Sequence, residues 1–136
     1  MDKGREEVIV ECYVVDSSVV AGRILEDEHL RPEFQEVFDK AVNGEVELVS
    51  PDLLVYEIGN ILKTSILTKR NTLESAERLF ELFFDIPISF IETVFVEVLR
   101  WSGNKKLTYY DATYAHLAHK TGNKLLTLDK HLIAFS

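Results

Sequence analysis

Short apolar runs alternate with longer amphipathic stretches along this chain, and that alternation predicts an α/β fold. Val8 to Val15 is rich in β-branched residues and reads as a buried strand that stops at Asp16. From Ser18 to about Asn43 the pattern is largely helical, broken near Arg31-Pro32, and Asn43-Gly44-Glu45 is a turn. Val46 to Val49 is a second short strand. Ser50-Pro51 has the signature of an N-cap followed by proline at the first helical position, opening a helix that runs to about Thr68. Lys69-Arg70-Asn71 is a turn, after which Leu73, Ala76, Phe80 and Phe83 trace the apolar stripe of another helix. Ile86 to Ile91 is a third strand, with Pro87 pointing to an edge position, and Glu92 to Trp101 is helical. Ser102 to Lys106 is a loop. Thr108 opens a helix that stops near Gly122, a good C-terminal cap, and Lys124 to Leu128 is a fourth strand, followed by Asp129. Strands spaced by helices in this order predict a three-layer α/β/α sandwich around a mostly parallel sheet. No boundary splits the chain, so residues 1–136 are read as one domain.

Composition narrows the function. Hydrophobic content of 46% and charged content of 28% are ordinary for a soluble globular protein. No apolar stretch is long enough to span a bilayer, and the N-terminal MDKGREEVIVECYVV lacks the small-residue cleavage site of a signal peptide. The cytoplasm is therefore the expected compartment. A single cysteine, Cys12, excludes an internal disulfide and a cysteine metal site. A net charge of −8 argues against a protein that coats nucleic acid through a basic surface. Carboxylates that hold divalent cations are a different use of excess acid: negative when empty, they attract phosphate once filled. The positions of the acids decide between these.

Asp16 directly follows the apolar run Cys-Tyr-Val-Val, at the end of a strand, where open parallel sheets bind ligands. A plain N-cap on the next helix explains it as well. Glu57 lies in Leu53 to Leu62; at roughly 100° per residue, Leu54, Ile58, Ile61 and Ser65 form the buried stripe, and Glu57 falls about 40° from Ile61. It thus borders the apolar face, either at a site, snorkelling to solvent, or meeting a basic partner. Asp111 precedes Tyr114, Ala115 and Ala118 and heads the face packed inward. Its spacing from Thr108 also resembles a capping box. Asp129 ends the last strand as Asp16 ends the first, with a cap on the turn Asp-Lys-His-Leu as the plainer reading. Four acids at strand ends or first helical turns, on one side of a parallel sheet, favour a common site over four separate caps.

With these residues in place, the chain resembles the PIN domain family, especially VapC-type toxins of prokaryotic toxin–antitoxin pairs and their archaeal relatives. The matching segments are V-V-D-S-S-V-V around Asp16, Y-E-I-G-N-I-L around Glu57, Y-Y-D-A-T-Y-A-H-L-A around Asp111 and L-L-T-L-D-K-H-L around Asp129. Their order and spacing agree from about Val8 to Phe135. The resemblance implies an α/β/α sandwich, Mg²⁺- or Mn²⁺-dependent cleavage of RNA, a cognate antitoxin and a homodimer. It implies that Asp16 and Asp111 are the core metal ligands, that Glu57 and Asp129 complete or tune the pocket, and that Ser17, Asn60 and Thr127 support it.

The implied chemistry is physically coherent. Phosphodiester hydrolysis needs a nucleophile at neutral pH and compensation of charge on the phosphoryl oxygens, and a bound divalent metal supplies both. Mg²⁺ takes oxygen ligands and keeps several waters, so it needs no His or Cys. Two carboxylates about 4 Å apart repel by roughly 4 kcal/mol at an effective dielectric near 20, so metal should raise the melting temperature. Lys105, Lys106, His116, His119, Lys120, Lys124, Lys130 and His131 are candidate contacts for RNA, although each also reads as solvated surface. For His116 and His119, surface or partner contacts are preferred over a metal pair. Trp101, Tyr109 and Tyr110 suit stacking on bases, with core or dimer packing the stronger reading. A receiver-type domain would want an acidic pair where the chain has Tyr13-Val14-Val15-Asp16, and a haloacid-dehalogenase-type phosphatase would want D-x-D where it has Asp16-Ser17-Ser18. The remaining rival is a non-catalytic PIN-fold module for protein interaction or RNA binding.

Overall fold

The computed structural model describes residues 10–136. Four parallel strands form one sheet: β1 (Glu11–Val15), β2 (Val46–Pro51), β3 (Ile88–Ile91) and β4 (Lys124–Leu126), in the order β3-β2-β1-β4. Val14 lies opposite Val49 of β2 and Leu125 of β4, which makes β1 a central strand, and its last residues Val14 and Val15 are wholly buried. That is why Cys-Tyr-Val-Val reads as a continuous apolar run rather than an alternation. Val8 and Ile9, where the first strand was expected to begin, lie outside the described residues.

The helices are α1 (Ser17–Ile24), α2 (Pro32–Val42), α3 (Leu53–Leu67), α4 (Leu73–Asp85), α5 (Phe95–Ser102) and α6 (Tyr109–Thr121), with a short 3₁₀ turn over Ile133–Phe135. The path from β1 to β2 to β3 moves steadily one way across the sheet, and right-handed crossovers then place α1 to α4 on one face. The step from β3 back to β4 reverses direction and puts α5 and α6 on the other. The packing agrees: α3 lies against α1 and α4, while α6 pairs with α5 and covers β1, β2 and β4. The expected α/β/α sandwich is present, with a sheet that is wholly parallel.

Several element boundaries differ from the sequence reading. Ser50 and Pro51 extend β2 rather than opening a helix; Ser50 Oγ donates to the Val15 carbonyl at 2.9 Å, and Pro51 pairs with Ile91. A serine hydroxyl that satisfies a buried carbonyl has the same local signature as an N-cap, and only the neighbouring strand tells them apart. On α3 the fully buried positions are Leu54, Ile58, Leu62 and Ser65, so Leu62 takes the place expected for Ile61. On α4, Ala76, Leu79 and Phe83 are buried while Leu73 is exposed. The first helical stretch is divided over residues 25–31, and α5 begins only at Phe95. Pro87 precedes β3, which is an edge strand as expected.

Candidate active site

The reversal in chain direction falls between β1 and β4, so the crevice outside their carboxyl ends is where an open parallel sheet offers a site. Asp16 follows β1 and Asp129 follows β4. Asp16 is 3% exposed and caps α1. Its Oδ1 accepts from Ser18 N at 3.1 Å, Val19 N at 3.2 Å and Ser18 Oγ at 2.6 Å, and its Oδ2 accepts from Thr127 Oγ1. Asp16 is therefore an N-cap as well as a candidate site residue.

Two hydroxyls tie the strand ends together. Thr127 Oγ1 donates to Asp16 and accepts from Asp129 N at 2.9 Å; Ser18 Oγ donates to Asp16 and accepts from Leu128 N at 2.8 Å. Asp129 in turn caps its own turn, with Oδ1 accepting from His131 N at 2.9 Å. Ser18 was not singled out in the sequence. The second serine of D-S-S at a helix start was its available signal, since only that hydroxyl both closes on the cap and reaches the next strand.

Glu57 and Asp111 come from helices on opposite faces of the sheet. Asp111 sits in the first turn of α6, its N–H capped by Thr108 Oγ1 at 3.1 Å, and the face it heads is buried at Tyr114, Ala115 and Ala118. Glu57 is half-buried on α3, and its Oε1 accepts from Tyr114 OH at 2.5 Å. No basic partner is paired with it among the described residues. Tyr114, read from sequence only as a core position, is the second residue missed. Asn60 is exposed on α3, and the Ser17 hydroxyl lies beside the Glu57 carboxylate.

The acids act on one another in pairs. Burial pushes Asp16 above the ordinary carboxylate range despite its hydrogen bonds. Glu57 is raised by burial and then by the charges of Asp111 and Asp16, while Asp111 is raised by burial and then by Asp129. Tyr114 is likewise pushed upward, by burial and then by Glu57. Proton affinity of this kind, in carboxylates that pair with no Lys or Arg among the described residues, is what a cation would relieve.

Several of the candidate RNA contacts are engaged by other groups, whereas His131 lies close enough to Asp111 for its charge to act on that carboxyl. His116 and His119 pack against the Trp101 ring at 5.6 and 5.4 Å between centroids, and Phe135 meets the same ring at 5.7 Å. Lys105 Nζ donates to the Trp101 carbonyl and sits 4.4 Å over its ring, and Lys120 pairs with Glu97 at 2.9 Å. Tyr109 OH donates to the Phe95 carbonyl at 2.8 Å, whereas Tyr110 is 62% exposed. Trp101 is thus a packing residue.

Residues 13–136 match the family described as the PIN domain. This chain belongs to the PIN domain family. Among its relatives, Ribonuclease VapC3 of Pyrobaculum aerophilum is 32% identical over 123 residues, covering 88% of this chain and 90% of the relative. Exonuclease VapC9 of the same organism is 32% identical over 104 residues, covering 71% of this chain and 73% of the relative. The crystal structure of PAE2754 from Pyrobaculum aerophilum superposes with a TM-score of 0.73 at 29% identity, over 93% of this chain and 80% of that one. Mycobacterium tuberculosis VapC20, titled a sarcin-ricin loop cleaving toxin, shares the fold, with a TM-score of 0.59 at 12% identity over 90% of this chain and 93% of that one.

Among the described residues, no three Asp, Glu, His or Cys side chains are grouped closely enough to hold a metal ion by themselves. The PIN acids therefore do not fit a closed structural cage, which takes about four protein ligands. They fit a hydrated hard cation such as Mg²⁺, which binds through one or two carboxylates and retains waters.

Proposed function

We propose that this chain is a divalent-metal-dependent endoribonuclease acting as one domain, the toxin of a type II toxin–antitoxin pair. The reading is supported by the placement of Asp16 and Asp129 just past adjacent strand ends and by the mutual charge effects that raise Glu57 and Asp111, which come from opposite helical layers. Relatives named ribonuclease and exonuclease support the hydrolytic class. Asp16 and Asp111 would hold Mg²⁺ or Mn²⁺, with Glu57 and Asp129 completing the pocket. When bound, the ion would supply a nucleophile at neutral pH and compensate charge on the phosphoryl oxygens. The chain's part is orientation: Ser18 and Thr127 lock Asp16, and the turn at Asp129 is held to the same hydroxyl.

Partners belong to the same reading. Tyr56, Val94, Phe95, Val96, Leu99 and Tyr110 are exposed, and a groove of 380 Å³ runs between Tyr56, Phe95, Tyr109 and Tyr110. Val42 and Leu82 are exposed beside a second apolar pocket. Clustered apolar surface marks protein interfaces, and a homodimer and an antitoxin would each need one.

A non-catalytic binding module is the second reading, favoured by the absence of a ready three-ligand group among the described residues. Incubating labelled single-stranded RNA with Mn²⁺, beside EDTA and Asp111→Asn controls, separates the two. The enzyme gives cleavage that both controls abolish, together with a melting temperature raised by Mn²⁺ in the wild type alone. Intact RNA across several sequences, with a melting curve unmoved by millimolar metal, would leave the binding module.

A further inference from the structure

Tyr114 is 2% exposed and its ring belongs to the hydrophobic core, yet its hydroxyl leaves that core to meet a carboxylate. A buried phenol needs an acceptor. Thr113, its neighbour on α6, finds a backbone carbonyl, that of Tyr109 at 2.8 Å. Tyr114 instead uses Glu57 Oε1 at 2.5 Å, a bond between residues 57 apart in sequence. It joins α3 to α6, the helices that carry Glu57 and Asp111, and Tyr114 stands one turn after Asp111 on the same face. No ion pair competes for Glu57 among the described residues.

We propose that Tyr114 is a positioning residue for the acidic site, a strut that commits one oxygen of Glu57 and holds its carboxylate at a fixed place relative to Asp111. The inference rests on reading the acids as a metal site. Glutamate on an exposed helix face samples several rotamers, and a half-buried one tethered at Oε1 loses most of that freedom. What remains of its acceptor capacity is then oriented before a cation arrives. Partners of this kind, one step removed from a ligand, typically change metal affinity or activity by about 10-fold to about 100-fold.

The test is Mn²⁺ titration calorimetry on the wild type, Tyr114→Phe, Glu57→Ala and the double variant, with RNA cleavage kinetics alongside. Tyr114→Phe keeps the ring in the core and removes only the hydroxyl. Mn²⁺ affinity should fall about tenfold and kcat with it, at unchanged KM for RNA. In the Glu57→Ala background the same change should have no further effect, because a strut without its carboxylate has nothing to hold. Unchanged affinity in Tyr114→Phe, or an equal loss with and without Glu57, would overturn the proposal and leave Tyr114 a core residue. If Tyr114→Phe loses its folded circular dichroism, Tyr114→Met replaces it, filling the core with an adaptable apolar side chain that has no hydroxyl. The same tenfold loss is then expected, and wild-type affinity would count against the strut. A wild type that binds no Mn²⁺ overturns the metal reading itself and this inference with it. A wild type that binds, with Tyr114→Phe its equal, overturns only the strut.

Discussion

The strand-end half of the candidate acidic site and its helical half are built by different means. Asp16 accepts two backbone N–H groups and two hydroxyls, and Thr127 and Ser18 pass those bonds on to the turn that carries Asp129. What holds this half lies close to the sheet: a cap, a turn, and hydroxyl bridges from the end of β1 to the segment after β4. Glu57 has the Tyr114 hydroxyl, and Asp111 has the cap from Thr108 on its backbone N–H. Their placement depends on two helical layers meeting beyond the sheet. One half is fixed by backbone geometry, the other by packing, so the two should fail differently when cut.

The largest expected effect comes from the helical half. Asp111→Asn removes one charge and leaves the Thr108 cap on its N–H untouched. Mn²⁺-dependent cleavage should fall by about 100-fold or more, with the folded circular dichroism spectrum preserved. Retained cleavage would move the metal to the strand-end half alone.

Thr127→Val attacks the strand-end half and should read out as stability before activity. Thr127 is 5% exposed, and its hydroxyl serves both the Asp16 carboxylate and the Asp129 N–H. Valine matches its shape while leaving a buried carboxylate short of a donor, a loss of about 2 kcal/mol in denaturant unfolding. A smaller loss in Thr127→Val than in Tyr114→Phe would reverse the comparison.

Acidity distinguishes the empty site from the filled one. Asp16, Glu57 and Asp111 are all held above the ordinary carboxylate range, by burial first and by neighbouring carboxylates for the latter two. Their folded proton affinity exceeds the unfolded one, so the folded state binds more protons once pH rises above about 4, the unfolded carboxylate range. In EDTA their contribution to stability should therefore fall as pH climbs from there through the raised values. Glu57→Gln should flatten that slope in thermal melts, and Mn²⁺ at neutral pH should offset it. A wild-type profile no steeper than that of the variant would show that Glu57 carries no such strain.

The smallest effect should come from the histidines. His116 and His119 face Trp101, so replacing both with alanine should leave the Mn²⁺ isotherm where it was. A weakened isotherm would place metal on α6 away from the acids.

Much of this was legible in the residue order. The apolar runs ending at Asp16 and near Asp129 marked two strand ends, and alternation with helical stretches predicted the parallel sandwich. The four motif segments by themselves carry the resemblance to the PIN family. What the pattern missed has a common cause. Ser50 imitates a helix cap because its hydroxyl meets a carbonyl on β1, and Leu62 replaces Ile61 in the core because the packing of α3 sets which side of the stripe is buried. Asp16 and Asp129 both cap, and the Thr127 hydroxyl bridges them, so the capping readings are compatible with a shared site.

By itself the sequence determined the strands, the order of crossovers and the acids at their ends, because those follow from local periodicity, caps and the handedness of connections. Only the tertiary structure decided that Thr127 and Ser18 close on Asp16 and that Tyr114 holds Glu57. Those bonds join residues as far as 111 apart, and no local propensity encodes which distant oxygen a hydroxyl will find.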